Sequence, residues 1–384
     1  MRVNSPVPPG VRPGIMPGMD SASREPVPPG LERPPRRILV VRLGAIGDVV
    51  RTLPAVRLLR RTWPRARIAW LVEPPSLPLV SGHPDVDEVL LFPRGRIAGA
   101  ARHLDPGFLS PLREFLDRLG SFRPDLSIDF QGSFKSGLLA RLAGAPSRVA
   151  FDGPFSREGS HLFANHRVAL PPDRVHRVLR AAWLARAAGA RDGPLVADLA
   201  LHADELARGL RERDRLAAGA PLVALAPFSS GRQAWKRWPL TRWTGVAARL
   251  AADGIRVVVV AGPGEEDDAA RLAADAGPGV TFPGTWTLRE LAAVLAHADL
   301  FVGGDTGPMH IAWAAGCRVL AVYGPTDPAL NAPFGEGHRV LAPPSPTNRW
   351  SPDPFPGITP GRVAAEARAM LEDAPAAGRQ GEPR

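Results

Sequence analysis

Two α/β domains, each built on a parallel sheet, are what this sequence predicts, and three observations predict it. Short unbroken apolar runs recur along the chain, most are followed by a helical pattern, and glycine-bearing turns often join run to helix. Unbroken apolar runs mark strands buried on both faces, and strand–helix–strand alternation builds a sheet with crossover helices. The pattern lapses over residues 189–220, rich in Ala, Gly and Arg, and then restarts. Two Rossmann-like domains facing across a cleft are the economical solution, residues 36–190 and 221–373 with a linker region at 191–220. Ligands are then expected at the carboxyl ends of the strands.

The first domain opens with a strand at Arg37–Val41 and the turn Leu43–Asp48. A helical pattern follows over Val49–Arg61 and stops at Trp63-Pro64. Further strands are predicted at Arg67–Val72, Val86–Phe92 and Leu126–Asp129, and helices at Pro111–Leu119, Gly137–Leu142 and Val175–Ala188. The second domain has predicted strands at Pro221–Ala226, Ile255–Val260, Leu300–Val302 and Arg318–Tyr323. Its predicted helices are Trp243–Asp253, Glu265–Ala276, Leu288–Ala296, Pro308–Ala315 and Pro360–Leu371, the last after a Pro-rich loop at 343–360. Residues 1–35 carry ten prolines and little apolar pattern, so they read as a disordered tail, as do residues 374–384.

Composition narrows the function. Hydrophobic residues make up 45% of the 384 and charged residues 22%, enough to bury a core. The single cysteine, Cys317, excludes a disulfide framework and a Cys-cluster metal site, and reads as a small core residue. No uncharged apolar run approaches the roughly 20 residues that span a bilayer, and the N-terminus lacks the apolar core of a secretory signal, so a cytoplasmic location is expected. The formal charge of +10 suits nucleic acid, a membrane surface or phosphorylated substrates. No basic run interleaved with aromatics is present, which argues against nucleic acid and for anionic small molecules or lipid headgroups. Only Lys135 and Lys236 are lysines among the 48 basic residues, as if a compact ammonium were needed at these two positions.

Five motifs lie where strands pass into helices. Gly44-Ala45-Ile46-Gly47-Asp48 lets a ligand approach the backbone at a helix start, although Asp48 there can equally be an N-cap. Gly303-Gly304-Asp305-Thr306-Gly307-Pro308-Met309-His310 offers the Thr306 and Gly307 amides, the Thr306 hydroxyl and the helix dipole to a diphosphate. Asp305 would fix the loop, and His310 either points at the cleft or is an ordinary buried histidine. In Phe228-Ser229-Ser230 through Lys236-Arg237-Trp238-Pro239, both serines can donate to phosphate, and Trp235 and Trp238 favour a half-buried, fixed Lys236; a solvated lysine is the alternative. Glu265 or Glu266, after Gly262-Pro263-Gly264, can accept from ribose hydroxyls or simply favour a helix start. Asp129-Phe130-Gln131-Gly132 through Lys135-Ser136 sets Gln131 and Lys135 near Arg94 and Arg96, three cations on one rim suited to an anionic acceptor, or ordinary solvated charge. Asp85-Val86-Asp87 follows His83-Pro84 and reads as a turn rather than a metal site, and no His-Glu-x-x-His, P-loop or Gly-x-Ser-x-Gly pattern is present.

The five motifs in this order resemble glycosyltransferase family 9, the ADP-heptose:lipopolysaccharide heptosyltransferases, from Arg37 to about Leu341. The similarity is carried by Gly47-Asp48 followed by Thr52-Leu53-Pro54-Ala55, by Asp129-x-Gln131-Gly132-x-x-Lys135-Ser136, by Lys236-x-Trp238-Pro239, by Asp305-Thr306-Gly307-Pro308-x-His310 and by Tyr323-Gly324-Pro325-Thr326-Asp327. From Gln131 through Ser156-Arg157-Glu158 the chain is most similar to the type I enzymes, which add the first heptose to a Kdo sugar of lipid A, though Ser229-Ser230 stand where those have threonines. The resemblance implies a GT-B fold, an inverting reaction, and no metal or cofactor. It implies Asp48 as general base, helped by a raised pKa. Ser229, Ser230, Lys236, Thr306 and Gly307 would hold the donor diphosphate, Asp305 and His310 would complete the donor site, and Glu265 or Glu266 would hold the ribose. Gly47, Arg94, Arg96, Gln131 and Lys135 would face a Kdo-lipid A or inner-core acceptor. The net charge suits peripheral docking to the cytoplasmic face of an anionic inner membrane.

Other readings are a type II or III relative with another acceptor or nucleotide sugar, and a noncatalytic sugar-nucleotide-binding protein. A nicotinamide-dependent oxidoreductase is opposed by the missing Gly-x-Gly-x-x-Gly.

Overall fold

The computed structural model describes residues 25–95, 109–170, 175–229 and 231–373. The chain divides after Ala200 into two units, each with its own six-stranded parallel sheet.

In the first unit the strands are β1 (Arg37–Val41), β2 (Arg67–Val72), β3 (Glu88–Leu91), β4 (Leu126–Asp129), β5 (Ser147–Phe151) and β6 (His166–Val168), in the order β3-β2-β1-β4-β5-β6. Ile38 lies opposite Ile68 on one side and Leu126 on the other, so the apolar run at 37–41 is central. The helices are α1 (Ile46–Thr62), α2 (Leu109–Ser121), α3 (Phe134–Leu142) and α4 (Arg177–Ala187). On one face Leu39, Val41 and Leu71 pack with Phe115, Leu119 and Leu139. Burying each such side chain is worth about 1.5–3 kcal/mol. On α3, Ser133 and Ser136 form a reciprocal capping box, which starts that helix three residues before its predicted Gly137.

The second unit repeats the plan with β7 (Leu222–Ala226), β8 (Arg256–Val259), β9 (Val280–Thr281), β10 (Leu300–Gly304), β11 (Val319–Val322) and β12 (Arg339–Leu341), in the order β12-β11-β10-β7-β8-β9. Its longer helices are α5 (Ala203–Ala217), α6 (Leu240–Ala252), α7 (Glu266–Ala276), α8 (Leu288–Leu295), α9 (Gly307–Ala314) and α10 (Pro360–Glu372), with one further turn at Pro328–Asn331. Val223, Leu225, Val257 and Leu320 meet Trp243 and Val363 in its core. Cys317 is buried, and burial pushes its thiol up to about 12.

Three expectations are corrected. Residues 25–35 are not a loose tail: the buried indole of Trp63 donates to Pro26 O (2.8 Å), and the Ser147 hydroxyl donates to Pro29 O (2.7 Å). Residues 203–217 are not linker but α5, anchored where Arg289 forks onto Glu205 and where Gly209 lies against α8. A Cβ at Gly209 would stand 2.2 Å from Ala293 O, so only glycine permits that approach. Finally, β5, β6, β9 and β12 were not predicted, because runs of two to five residues broken by Ser, Thr, Arg or His leave little periodic signal.

Candidate functional site

Each unit collects its motif residues just beyond the carboxyl ends of its central strands. In the first unit, α1 starts at Ile46 with Ala45 at its N-cap, so Gly47 is buried in the first turn and Asp48 is not the cap. The Asp48 carboxylate faces arginines instead. Arg42 Nη2 lies 2.6 Å from Oδ2, Arg177 Nη1 lies 3.2 Å from Oδ1, and Arg51 Nη2 also contacts Oδ1. Burial alone would raise this carboxyl, but Arg42, then Arg51 and Arg177, outweigh it and hold it well below the usual carboxylate range. That is the reverse of the raised value expected of it.

The carboxyl that is raised belongs to Asp129, at the end of β4. Burial pushes it up to about 6, even though it accepts from the Gly132 and Gln131 amides (3.1 and 2.9 Å) and the Ser136 hydroxyl (2.9 Å). These bonds shape the loop that carries Gln131, whose Oε1 is buried without a hydrogen-bond partner among the described residues. Lys135 and Arg94 converge as expected, but on Glu73: Arg94 Nη1 is 3.2 Å from it, Lys135 Nζ contacts its other oxygen, and the Phe92 ring lies under the ammonium at 5.0 Å. Arg96 lies outside the described residues. Asp87, one half of the Asp-x-Asp pair, accepts from the Ile68 amide (2.7 Å) and from Arg60 (2.5 Å), while Asp85 lies near Arg57.

In the second unit a small pocket is lined by Ser229, Lys236, Arg237, Gly304 and Thr306, with Trp238 and Phe355 beneath. Lys236 Nζ pairs with Asp305 Oδ2 at 3.1 Å, and its side chain is 14% exposed, so the ammonium is held rather than solvated. Trp235 flanks it at 5.6 Å, whereas Trp238 turns into the core and meets Trp243 edge-on at 4.8 Å. His310 is buried, 3.8 Å from the other Asp305 oxygen. Thr306 is the N-cap of α9, and its hydroxyl donates weakly to Gly304 O (3.4 Å), so the first-turn amides of α9 make no bond to a capping side chain. Ser230 lies outside the described residues. Ser229 is buried and donates to Gln233 O at 3.1 Å.

Both glutamates fold back on their own loop. Glu265 Oε2 accepts from the Gly262 amide (2.9 Å), and Glu266 Oε2 accepts from the Gly264 amide (2.7 Å). Glu265 Oε1 also pairs with Arg237 (3.0 Å), so it is the one tied to the pocket. Sequence reasoning missed Arg237, Arg42, Arg51, Arg177 and Glu73. Arg237 was signalled by its place beside Lys236; the others carried no signal in a chain where nearly every basic residue is arginine.

Comparison with known proteins agrees with this architecture. The profile of "Glycosyltransferase family 9 (heptosyltransferase)" matches residues 112–348, more than half of the chain. Lipopolysaccharide heptosyltransferase 1 of Pseudomonas aeruginosa is 29% identical over 87% of this chain and 98% of its own length. The enzyme of the same name from Escherichia coli K12 is 28% identical over 80% and 94%. The solved structure of E. coli heptosyltransferase WaaC with ADP superimposes with a TM-score of 0.71 at 27% identity, covering 87% of this chain and 99% of that one. WaaC with ADP-2-deoxy-2-fluoro heptose gives 0.68 at 28%, covering 88% and 100%. The two parallel-sheet units are those of the GT-B fold, and the chain is a glycosyltransferase that belongs to family 9, the heptosyltransferase family.

Proposed function

We propose that this enzyme transfers a heptose from ADP-heptose to the Kdo-bearing inner core of lipopolysaccharide, with inversion and without a metal. The observation that carries the reading is the pocket of the second unit, where a held ammonium, a guanidinium and a helix N-terminus meet at the ends of β7 and β10. A leaving diphosphate gains negative charge, and Lys236, Arg237 and the first-turn amides of α9 are fixed donors for it; each such donor is worth about 3 kcal/mol in a transition state. Glu265 is the ribose partner, because Arg237 ties it to the pocket while Glu266 is exposed.

In the reaction the acceptor hydroxyl oxygen attacks the anomeric carbon opposite the diphosphate. The new C–O bond forms as the bond from that carbon to the diphosphate oxygen breaks, and ADP leaves with the electron pair. The hydroxyl proton passes to Asp48. Lys135 and Arg94, with Arg96, meet anionic groups of the acceptor once Glu73 yields them. ADP release from ADP-L-glycero-D-manno-heptose and Kdo2-lipid A, with EDTA present, tests the reading. Release needing both substrates and falling about 10²–10⁴-fold in Asp48→Asn supports it. Release only with an already heptosylated acceptor would make it a type II or III enzyme, and release abolished by EDTA would refute metal independence.

Peripheral contact with an anionic leaflet is part of the same proposal. Phe134 and Leu142 on α3, and Leu162 nearby in sequence to its partner Phe163, are 49%, 50% and 67% exposed, with Arg141 and Arg157 also exposed. Flotation with phosphatidylglycerol-rich vesicles should weaken in the double variant Phe134→Ser, Leu162→Ser; unchanged flotation would refute this surface.

A further inference from the structure

The proposed base, Asp48, is over-supplied with cations, and its three partners are not alike. Arg42 is 11% exposed and also donates to Phe130 O (2.5 Å), which pins it at the end of β1. Arg51 is 8% exposed and sits one turn along the same helix as Asp48. Arg177 reaches in from α4, is 41% exposed, and shares Oδ1 with Arg51 at 3.2 Å. Arg180, one turn further along α4, lies over the Phe151 and Phe155 rings at 5.3 and 5.6 Å and is close enough to Arg177, Arg42 and Arg157 to feel their charge. Facing these cations are Asp48 and the buried Asp129. The 3₁₀ turn at Pro74–Leu79, which also packs on α1, carries no titratable side chain. This end of the unit therefore has an excess of positive charge and one partner that solvent already reaches.

A base must accept a proton, and three guanidinium groups oppose that. An exposed ion pair gains little net free energy from its attraction, so Arg177 is the partner most readily exchanged. We propose that Arg177 is an exchangeable partner of Asp48: an anionic group of the acceptor takes its guanidinium, which both selects an anionic acceptor and leaves Asp48 with two cations instead of three as the hydroxyl proton arrives. This rests on the role proposed above for Asp48. A carboxylate of the acceptor sugar and a phosphate of its lipid anchor share the required chemistry, and a planar carboxylate fits a guanidinium fork in two-point fashion.

The test measures kcat/KM for ADP release by the full chain with Kdo2-lipid A, its sugar-carboxylate methyl ester and its dephosphorylated form. For the wild-type enzyme, masking the recognised anion should cost about tenfold or more, and which mask does so identifies the source. Arg177→Gln should lose a similar factor with the unmodified acceptor and nothing further when that anion is masked, and Arg177→Lys should recover part of the discrimination. In Arg177→Gln the acid limb of kcat/KM should also move to higher pH, because one cation holding the Asp48 carboxyl down has gone. Arg177→Gln with wild-type discrimination among the three acceptors, or with an unmoved acid limb, would overturn the inference. If the wild-type enzyme released no ADP, or Asp48→Asn released it undiminished, the proposed function itself would fail.

Discussion

Lys236 and Asp305 pair beside the pocket of the second unit. Each is nearly buried, each holds the other at 3.1 Å, and the ammonium still lines the pocket. Lys236→Ala would remove that ammonium and leave the Asp305 carboxylate facing the diphosphate. ADP affinity, measured by calorimetry, should fall, and kcat should drop about 10²–10³-fold. Asp129 gives a prediction of the opposite kind. Its folded carboxyl is raised to about 6, so its contribution to stability is full below the unfolded value and is lost as pH rises through about 6. The loss approaches about 3 kcal/mol for a shift of about two units. Asn at this position can still accept from the Gly132 and Gln131 amides. Asp129→Asn should therefore raise the thermal midpoint at pH 7.5 and leave it little changed at pH 4; equal effects at both would refute the raised carboxyl.

Elements here are held by close approach and by segments that local pattern does not mark. Replacing Gly209 with Ala tests two opposing effects on α5. Helix propensity favours Ala by about 1 kcal/mol, but a Cβ 2.2 Å from Ala293 O forces α5 and α8 apart, at a cost of about 1–3 kcal/mol or more. Net destabilisation in urea unfolding is the expected outcome. The Pro-rich stretch before β1 is tested by two truncations. A chain starting at Leu31 should be about 1–3 kcal/mol less stable than one starting at Glu25, because the buried Trp63 indole loses Pro26 O.

For the whole molecule, each unit has its own sheet and its own core, and the pocket proposed for the diphosphate is lined by residues of the second unit. A fragment beginning at Leu201 should fold and bind ADP, and ADP at 100 times its dissociation constant should stabilise it by about 2.7 kcal/mol. A folded fragment that ignored ADP would mean the nucleotide needs residues of the first unit as well.

The sequence by itself determined the two α/β units, the central strands β1, β2, β4, β7, β8, β10 and β11, and the family, because unbroken apolar runs and strand-to-helix turns are local features. Asp48, Lys236 and Asp305 were legible for the same reason: each sits in a compact motif at a turn. What only the tertiary structure decided is who meets whom. Arg177 stands 129 residues from Asp48, Glu73 stands 62 from Lys135, and Glu265 stands 28 from Arg237. The direction of the Asp48 carboxyl was reversed by Arg42 and Arg51 close by in sequence and by the distant Arg177, since charge acts through space and a chain with this much arginine marks none of them. The short outer strands were likewise decided by pairing with their neighbours in the sheet, because two to five residues of mixed polarity carry too little periodicity to declare themselves.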